Sequence, residues 1–268
     1  MKYIFYILAL IPLVTFSQNE KVLTPEMIFN NGDTVFLFGN NVKLRTEPNT
    51  SSNVTTLLPI NSKITIISKT ENSQEFNGMS SFWYEVKTET ARGYILGGLI
   101  AIEKLSLGNT HFLITLKQKD DNYYAVTRVV RNNETAYNEN DFLLNNEIFS
   151  VQAFPNKGLK NIDNIIFFNY LSEACGENGG GIYVFYSNNK LIKALDVVSI
   201  SDAGVYWESE QLVFPLDEDG VTDKIVYKKE ELEVVDEESQ WSETKTTTAQ
   251  LTWDGEKLTP DITKKPNE

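Results

Sequence analysis

The chain has 268 residues, with 24 Lys and Arg against 37 Asp and Glu, a formal net charge of −13. That acidic balance argues against nucleic acid, teichoic acid or anionic lipid as a general partner, because these are gripped by clustered Lys and Arg. Hydrophobic residues at 41% and charged residues at 23% are the proportions of a chain that buries a core, which sets aside a disordered class. The 15 Phe and 12 Tyr sit largely inside β-branched runs, a texture of strands rather than helices.

Lys2 precedes an apolar stretch, "YIFYILALIPLV" (3–14), too short to span a bilayer as a mature helix. Thr15 and Ser17 then place small residues before Gln18, so residues 1–17 read as a signal peptide and the mature chain is expected to be exported, with no membrane span after cleavage. No Cys follows the apolar run to carry a lipid. The single Cys175 cannot close an internal disulfide, so packing alone is expected to hold the fold.

Thr24-Pro25-Glu26 has the form of a helix start, Thr as N-cap and Pro at the first helical position, which predicts one or two helical turns up to Phe29. "NNGD" (30–33) is turn chemistry. Short strands are predicted at "TVFLF" (34–38), "VKLR" (42–45), "VTTLL" (54–58), "KITIIS" (63–68), "FWYEVK" (82–87) and "RGYIL" (92–96). The intervening "KTENSQEFNGMSS" (69–81) reads as a polar loop. Short strands separated by turn signals imply a small barrel or sandwich. Val42 and Leu44 should face its core while Lys43 and Arg45 face out, and Pro48, with no N–H to donate, should stop the ladder. The Asn-Thr-Ser-Ser-Asn run (49–53) can then satisfy its own backbone through Asx and Ser/Thr turns.

Val42, Leu44, Arg45, Pro48 and Val54 follow the spacing of an extended segment of bacterial SH3 domains. Trp83, Tyr84 and Val86 match that family's Trp-Tyr-x-Val strand, and Gly93, Tyr94, Ile95 and "GGLI" (97–100) its closing strand and turn. Residues 30–102 therefore resemble a bacterial SH3 domain, departing from it at Glu47, where a small residue is usual, and at Tyr94, where Trp is usual. The resemblance implies recognition of a peptide or of cell-wall peptidoglycan. Tyr84, Tyr94 and Trp83 are candidates to line a groove, with Arg45 and Glu47 at its rim, since aromatic rings in shallow grooves bind with little entropy loss. At least one of Trp83 and Tyr84 is expected to be core.

From residue 103 onward, β-favouring runs recur with Asn-Asn, Asn-Gly-Gly and Asp-Gly turns between them; "SNNK" (187–190) and "WDGEK" (253–257) are the best hairpin signals. This predicts a larger antiparallel β-meander over 103–259 and a disordered tail, "PDITKKPNE" (260–268). "LDEDGVTDKIVY" (216–227) resembles, in isolation, the Asp-rich loop of FG-GAP or VCBS-type exported β repeats, within a weaker likeness over 160–258.

Four features could carry chemistry. Asp217, Asp219 and Asp223 offer about half a calcium shell around Gly220, but Val221 and Lys228 stand where further oxygens would help, so a solvated acidic turn is the simpler reading. Cys175 and His111 are in the wrong order and context for a cysteine peptidase, with "GENGGG" after the Cys, and the glycines (179–181) read as a hairpin connection. Glu230, Glu231, Glu233, Asp236, Glu237 and Glu238 read as a solvated strand and loop. The expectation is an all-β exported binding protein without catalysis or resident cofactor, a small SH3-like barrel followed by a meander, located in the periplasm or at the surface of a bacterium. The rivals are a wall hydrolase with an unrecognised carboxylate pair and a calcium-stabilised adhesion module.

Overall fold

In a computed structural model, residues 20–172, 176–202, 206–236 and 241–263 are described. Residues 1–17, Cys175, Glu237, Glu238 and the last part of the tail lie outside the described residues. The β-branched and aromatic runs form three antiparallel sheets stacked against one another. None of the described helices is long and apolar enough to cross a membrane.

The first sheet is the barrel: β1 (Thr34–Phe36), β2 (Val42–Arg45), β3 (Val54–Leu58), β4 (Lys63–Phe76), β5 (Met79–Lys87) and β6 (Arg92–Leu96), in the order β1-β4-β5-β6-β2-β3. Val42 and Leu44 are buried at 3% and 0% exposure while Lys43 is exposed, the alternation expected of a half-buried strand. They meet Ile64, Ile66, Tyr84, Val86, Ile95 and Ile100 in the barrel core. Each such side chain removed from water contributes about 1.5–3 kcal/mol before entropy is charged against it.

Two local expectations are corrected. Residues 24–26 form a turn, not a helix, because this segment is used as a strap. Leu23 exchanges backbone bonds with Phe149 (2.7 and 3.1 Å), and Phe29 reaches the barrel core, a course that leaves no room for helical coiling between them. Likewise the polar stretch 69–81 is no loop. It is a long hairpin, β4 and β5 extended past the barrel, turning at Asn77 (φ 54°) and Gly78 (φ 76°). An Asn-Gly pair takes this primed turn at little cost, and its fit to strand twist outweighs the polarity of the flanks.

The second sheet comprises β7 (Glu103–Leu107), β8 (Thr110–Lys119), β9 (Asn122–Arg131) and β10 (Tyr137–Leu143), ordered β10-β9-β8-β7. Its two faces go to different neighbours. Leu113, Val126 and Val130 pack on Phe38, Ile60 and Ala101 of the barrel, whereas Phe112, Ile114, Leu116 and Val129 pack on the third sheet. Arg128 rivets the first junction. It donates to the Phe38 carbonyl at 2.7 Å, pairs with Glu139 at 2.6 Å and lies over the Phe38 and Tyr137 rings.

The third sheet is a meander in chain order: β11 (Phe149–Pro155), β12 (Asn164–Tyr170), β13 (Gly179–Ser187), β14 (Lys190–Asp202), β15 (Tyr206–Val213), β16 (Ile225–Asp236), β17 (Trp241–Trp253) and β18 (Leu258–Thr259). Strand β13 is buried on both faces. Ile182, Val184 and Tyr186 look to the second sheet, while Phe185 joins Phe214, Trp253 and Leu258 in a separate core, which explains the unbroken apolar run "IYVFY". Asn188 and Asn189 (φ 49° and 60°) make the β13–β14 turn, as the "SNNK" signal implies. The glycines expected in a connection are instead strand residues of β13. A Cβ on Gly181 would stand 2.0 Å from the Phe168 carbonyl, so close backbone approach, not looseness, requires them.

Candidate functional site

The outward face of β2 and β6 carries two of the residues singled out by the resemblance, Arg45 and Tyr94. Arg45 lies directly beside Tyr94, and Tyr94 beside Glu85, so the pairing does gather Arg45 and Tyr94 on one surface. The charge on this surface is already engaged. The Arg45 guanidinium donates to the Ser52 carbonyl at 2.7 Å, pinning the 46–53 loop. Within that loop Asn49 Oδ1 accepts from the Ser51 and Ser52 N–H groups at 3.1 and 2.8 Å, the self-satisfied turn that the Asn-Thr-Ser-Ser-Asn run predicts. Glu47 takes part in the same loop, accepting from Asn49 Nδ2 at 3.3 Å. Arg92 bonds Glu85 at 2.8 Å and thereby holds its carboxyl below the usual carboxylate range.

Trp83 and Tyr84 are both buried, at 4% and 2% exposure, which corrects their placement in an open groove on this face. Tyr84 belongs to the barrel core, where its ring meets Phe29 edge-on at 5.4 Å. Trp83 points the other way, but there the register slips between Lys69 and Ser73. Thr70 in that slip bonds the Trp83 carbonyl at 3.0 Å and Asn72 bonds the Pro48 carbonyl at 3.3 Å, so the outward side is roofed at this point too.

A concavity with an apolar lining lies elsewhere, at the junction of the barrel with the second sheet. It has a cavity volume of about 390 Å³, within the span of small-ligand sites, about 300–1,000 Å³. Four separate stretches and Ile102 wall it, the stretches being the strap (24–29), the hairpin (76–84), the Gly97-Gly98 turn and β8–β9 residues Thr115, Leu116, Gln118 and Tyr123. The hairpin tip is tied down where Gln118 N–H donates to the Asn77 carbonyl at 2.8 Å. Gly98 must lack a side chain, because a Cβ there would stand 2.4 Å from the Phe76 ring. The lining is aromatic and sulfur-rich (Phe29, Phe76, Phe82, Met27, Met79), and Glu26 is its one charged residue.

Polar groups at this groove are differently disposed. Tyr84 Oη accepts from the Phe29 N–H at 3.3 Å, and burial pushes the hydroxyl above the ordinary phenol value, the Phe29 bond acting the other way. Ser81 Oγ accepts from the Gly98 N–H at 2.7 Å. Sequence reasoning named Tyr84 but missed the groove itself. The available signals were the Asn77-Gly78 turn and the paired Gly97-Gly98.

The other candidates are not assembled into sites. Asp217 is held by Lys157 at 3.0 Å and accepts from the Phe214 N–H at 2.8 Å, Asp223 pairs with Lys160 at 2.9 Å, and no group of three or more metal-type ligands exists among the described residues. His111 is a buried strand residue between Ser106 and Asn132. Glu230 and Glu231 are paired with Lys228 and Lys229 along β16.

No curated protein and no solved structure matches the chain. Residues 40–101 do match a family model, described as the bacterial SH3 domain; the match runs from just before β2 to just past β6, so this part of the chain is SH3-like, and two further antiparallel sheets accompany it.

Proposed function

We propose that this chain is an exported, non-catalytic binding protein whose SH3 domain holds cell-wall peptidoglycan in the groove between the barrel and the second sheet. The observation that carries this reading is the groove's lining: aromatic and methionine side chains with hydroxyls between them, and no Lys or Arg. Such a surface suits the neutral glycan portion of peptidoglycan, with its apolar edges, and offers its carboxylates nothing to hold. The bacterial SH3 match over residues 40–101 supports a binding role of this kind. Export is supported by the apolar stretch and small-residue cleavage pattern of residues 1–17.

Co-sedimentation of the mature chain with purified peptidoglycan sacculi tests the reading. Retention in the pellet that soluble muropeptides compete away is the expected result; a chain left wholly in the supernatant at physiological salt contradicts it.

A further inference from the structure

Tyr84 and Ser81 share an arrangement that the groove's apolar lining does not account for. Each hydroxyl oxygen accepts a backbone N–H from a groove wall, Phe29 for Tyr84 and Gly98 for Ser81. Each hydroxyl can also donate one hydrogen bond, and neither donation finds an acceptor among the described residues. Both residues line the same groove, where the Tyr84 ring edge (Cε2) and Ser81 Oγ stand 2.8 and 3.2 Å from the point a Gly97 Cβ would occupy. Tyr84 is only 2% exposed, so an unspent donor there is expensive unless something that enters the groove takes it up.

Resting on the peptidoglycan reading above, we infer that this pair recognises the N-acetyl group of an amino sugar. The acetamido carbonyl accepts from the Tyr84 and Ser81 hydroxyls, and its methyl lies among Met27, Met79 and Phe82. Both donors are neutral, which suits a neutral amide oxygen; a carboxylate or phosphate would bring its charge into a groove whose one ionised group is Glu26. An acetamido group joins one acceptor to one methyl, and the groove offers hydroxyl donors beside a sulfur and aromatic wall that accepts a methyl.

The test uses the full mature chain, with a soluble N-acetylglucosamine oligomer, the same oligomer after chemical de-N-acetylation, and insoluble sacculi. The expected result is at least about tenfold tighter binding of the acetylated oligomer, the worth of one or two hydrogen bonds. Tyr84→Phe should collapse that preference while leaving residual binding of both oligomers, with a somewhat lower melting temperature because the Phe29 N–H loses its acceptor. Ser81→Ala, as a second variant, should reduce the preference as well. A merely structural role for Tyr84 would weaken both oligomers equally and overturn the inference. Retention on sacculi with equal affinity for the two oligomers, or with none for either, overturns the acetyl assignment and leaves the wall-binding reading standing. Failure on sacculi and oligomers alike overturns both.

Discussion

Two surfaces of the SH3-like barrel lie within a few residues of each other on β5 and differ in what their polar groups are left to do. On the outward face, Arg45 is bonded to Ser52 and Glu85 to Arg92, so the charges there are consumed in holding the loop and sheet together. In the groove, Tyr84 and Ser81 spend their oxygen lone pairs on backbone N–H groups and keep their hydrogens. Residue type marked the first surface as the binding face, and bonding capacity still unmet marks the second. A side chain already satisfied by its own chain has little left to offer a ligand.

The largest expected effect falls on what both surfaces depend on, the three-layer stack. Phe168 is fully buried against Phe142 and Phe149. Phe168→Ala should cost about 3–5 kcal/mol and lower the urea midpoint, with both surfaces lost together in one cooperative transition.

Alkaline pH provides a smaller and reversible probe of the same stack. Burial raises Tyr170 and Tyr183 each to about 12, above their ordinary value of 10.0. Groups whose folded value is raised lend stability that is complete below the unfolded value and lost as pH rises. Stability should therefore be level up to about pH 10 and fall between about 10 and 12, by up to about 1.4 kcal/mol per pH unit for each group. Absorbance at 295 nm should show these two tyrosines ionising only as the chain unfolds.

Smaller still are substitutions on the outward face, which separate the two surfaces. Arg45→Ala removes one hydrogen bond to the Ser52 carbonyl and should cost about 1 kcal/mol, with loosened amide exchange in residues 46–53 and unchanged retention on sacculi. Glu47→Gln should fall within about 0.5 kcal/mol of the parent on both readouts. Loss of wall binding in either variant would return the site to the outward face.

Much of the barrel could be read locally. The runs "VKLR", "VTTLL" and "RGYIL" coincide with β2, β3 and β6, because strand alternation and the Pro48 break are properties of adjacent residues. The double burial of β13 was legible in the same way, as an apolar run without alternation. What was not legible depends on distant parts of the chain. The strap at 24–29 looks like a helix start until Leu23 is paired with Phe149, 126 positions further on. Polarity disguised the 69–81 hairpin, whose strands extend beyond the barrel core. The groove draws its walls from four stretches separated by tens of residues, so no local pattern announces it. Arg45 was read as a rim residue because sequence shows its charge and not the Ser52 carbonyl that occupies it.

The central claim, that the ligand sits in the groove and not on the outward face, is tested most directly by blocking one and stripping the other. Ser80 lies at the groove and is exposed, so Ser80→Trp fills the opening without entering a core, while Tyr94→Ala removes the half-buried ring of the outward face. Sacculus co-sedimentation of the two full-length mature variants should show Ser80→Trp in the supernatant and Tyr94→Ala in the pellet at parental levels. The reverse distribution, Ser80→Trp retained and Tyr94→Ala released, would contradict the account.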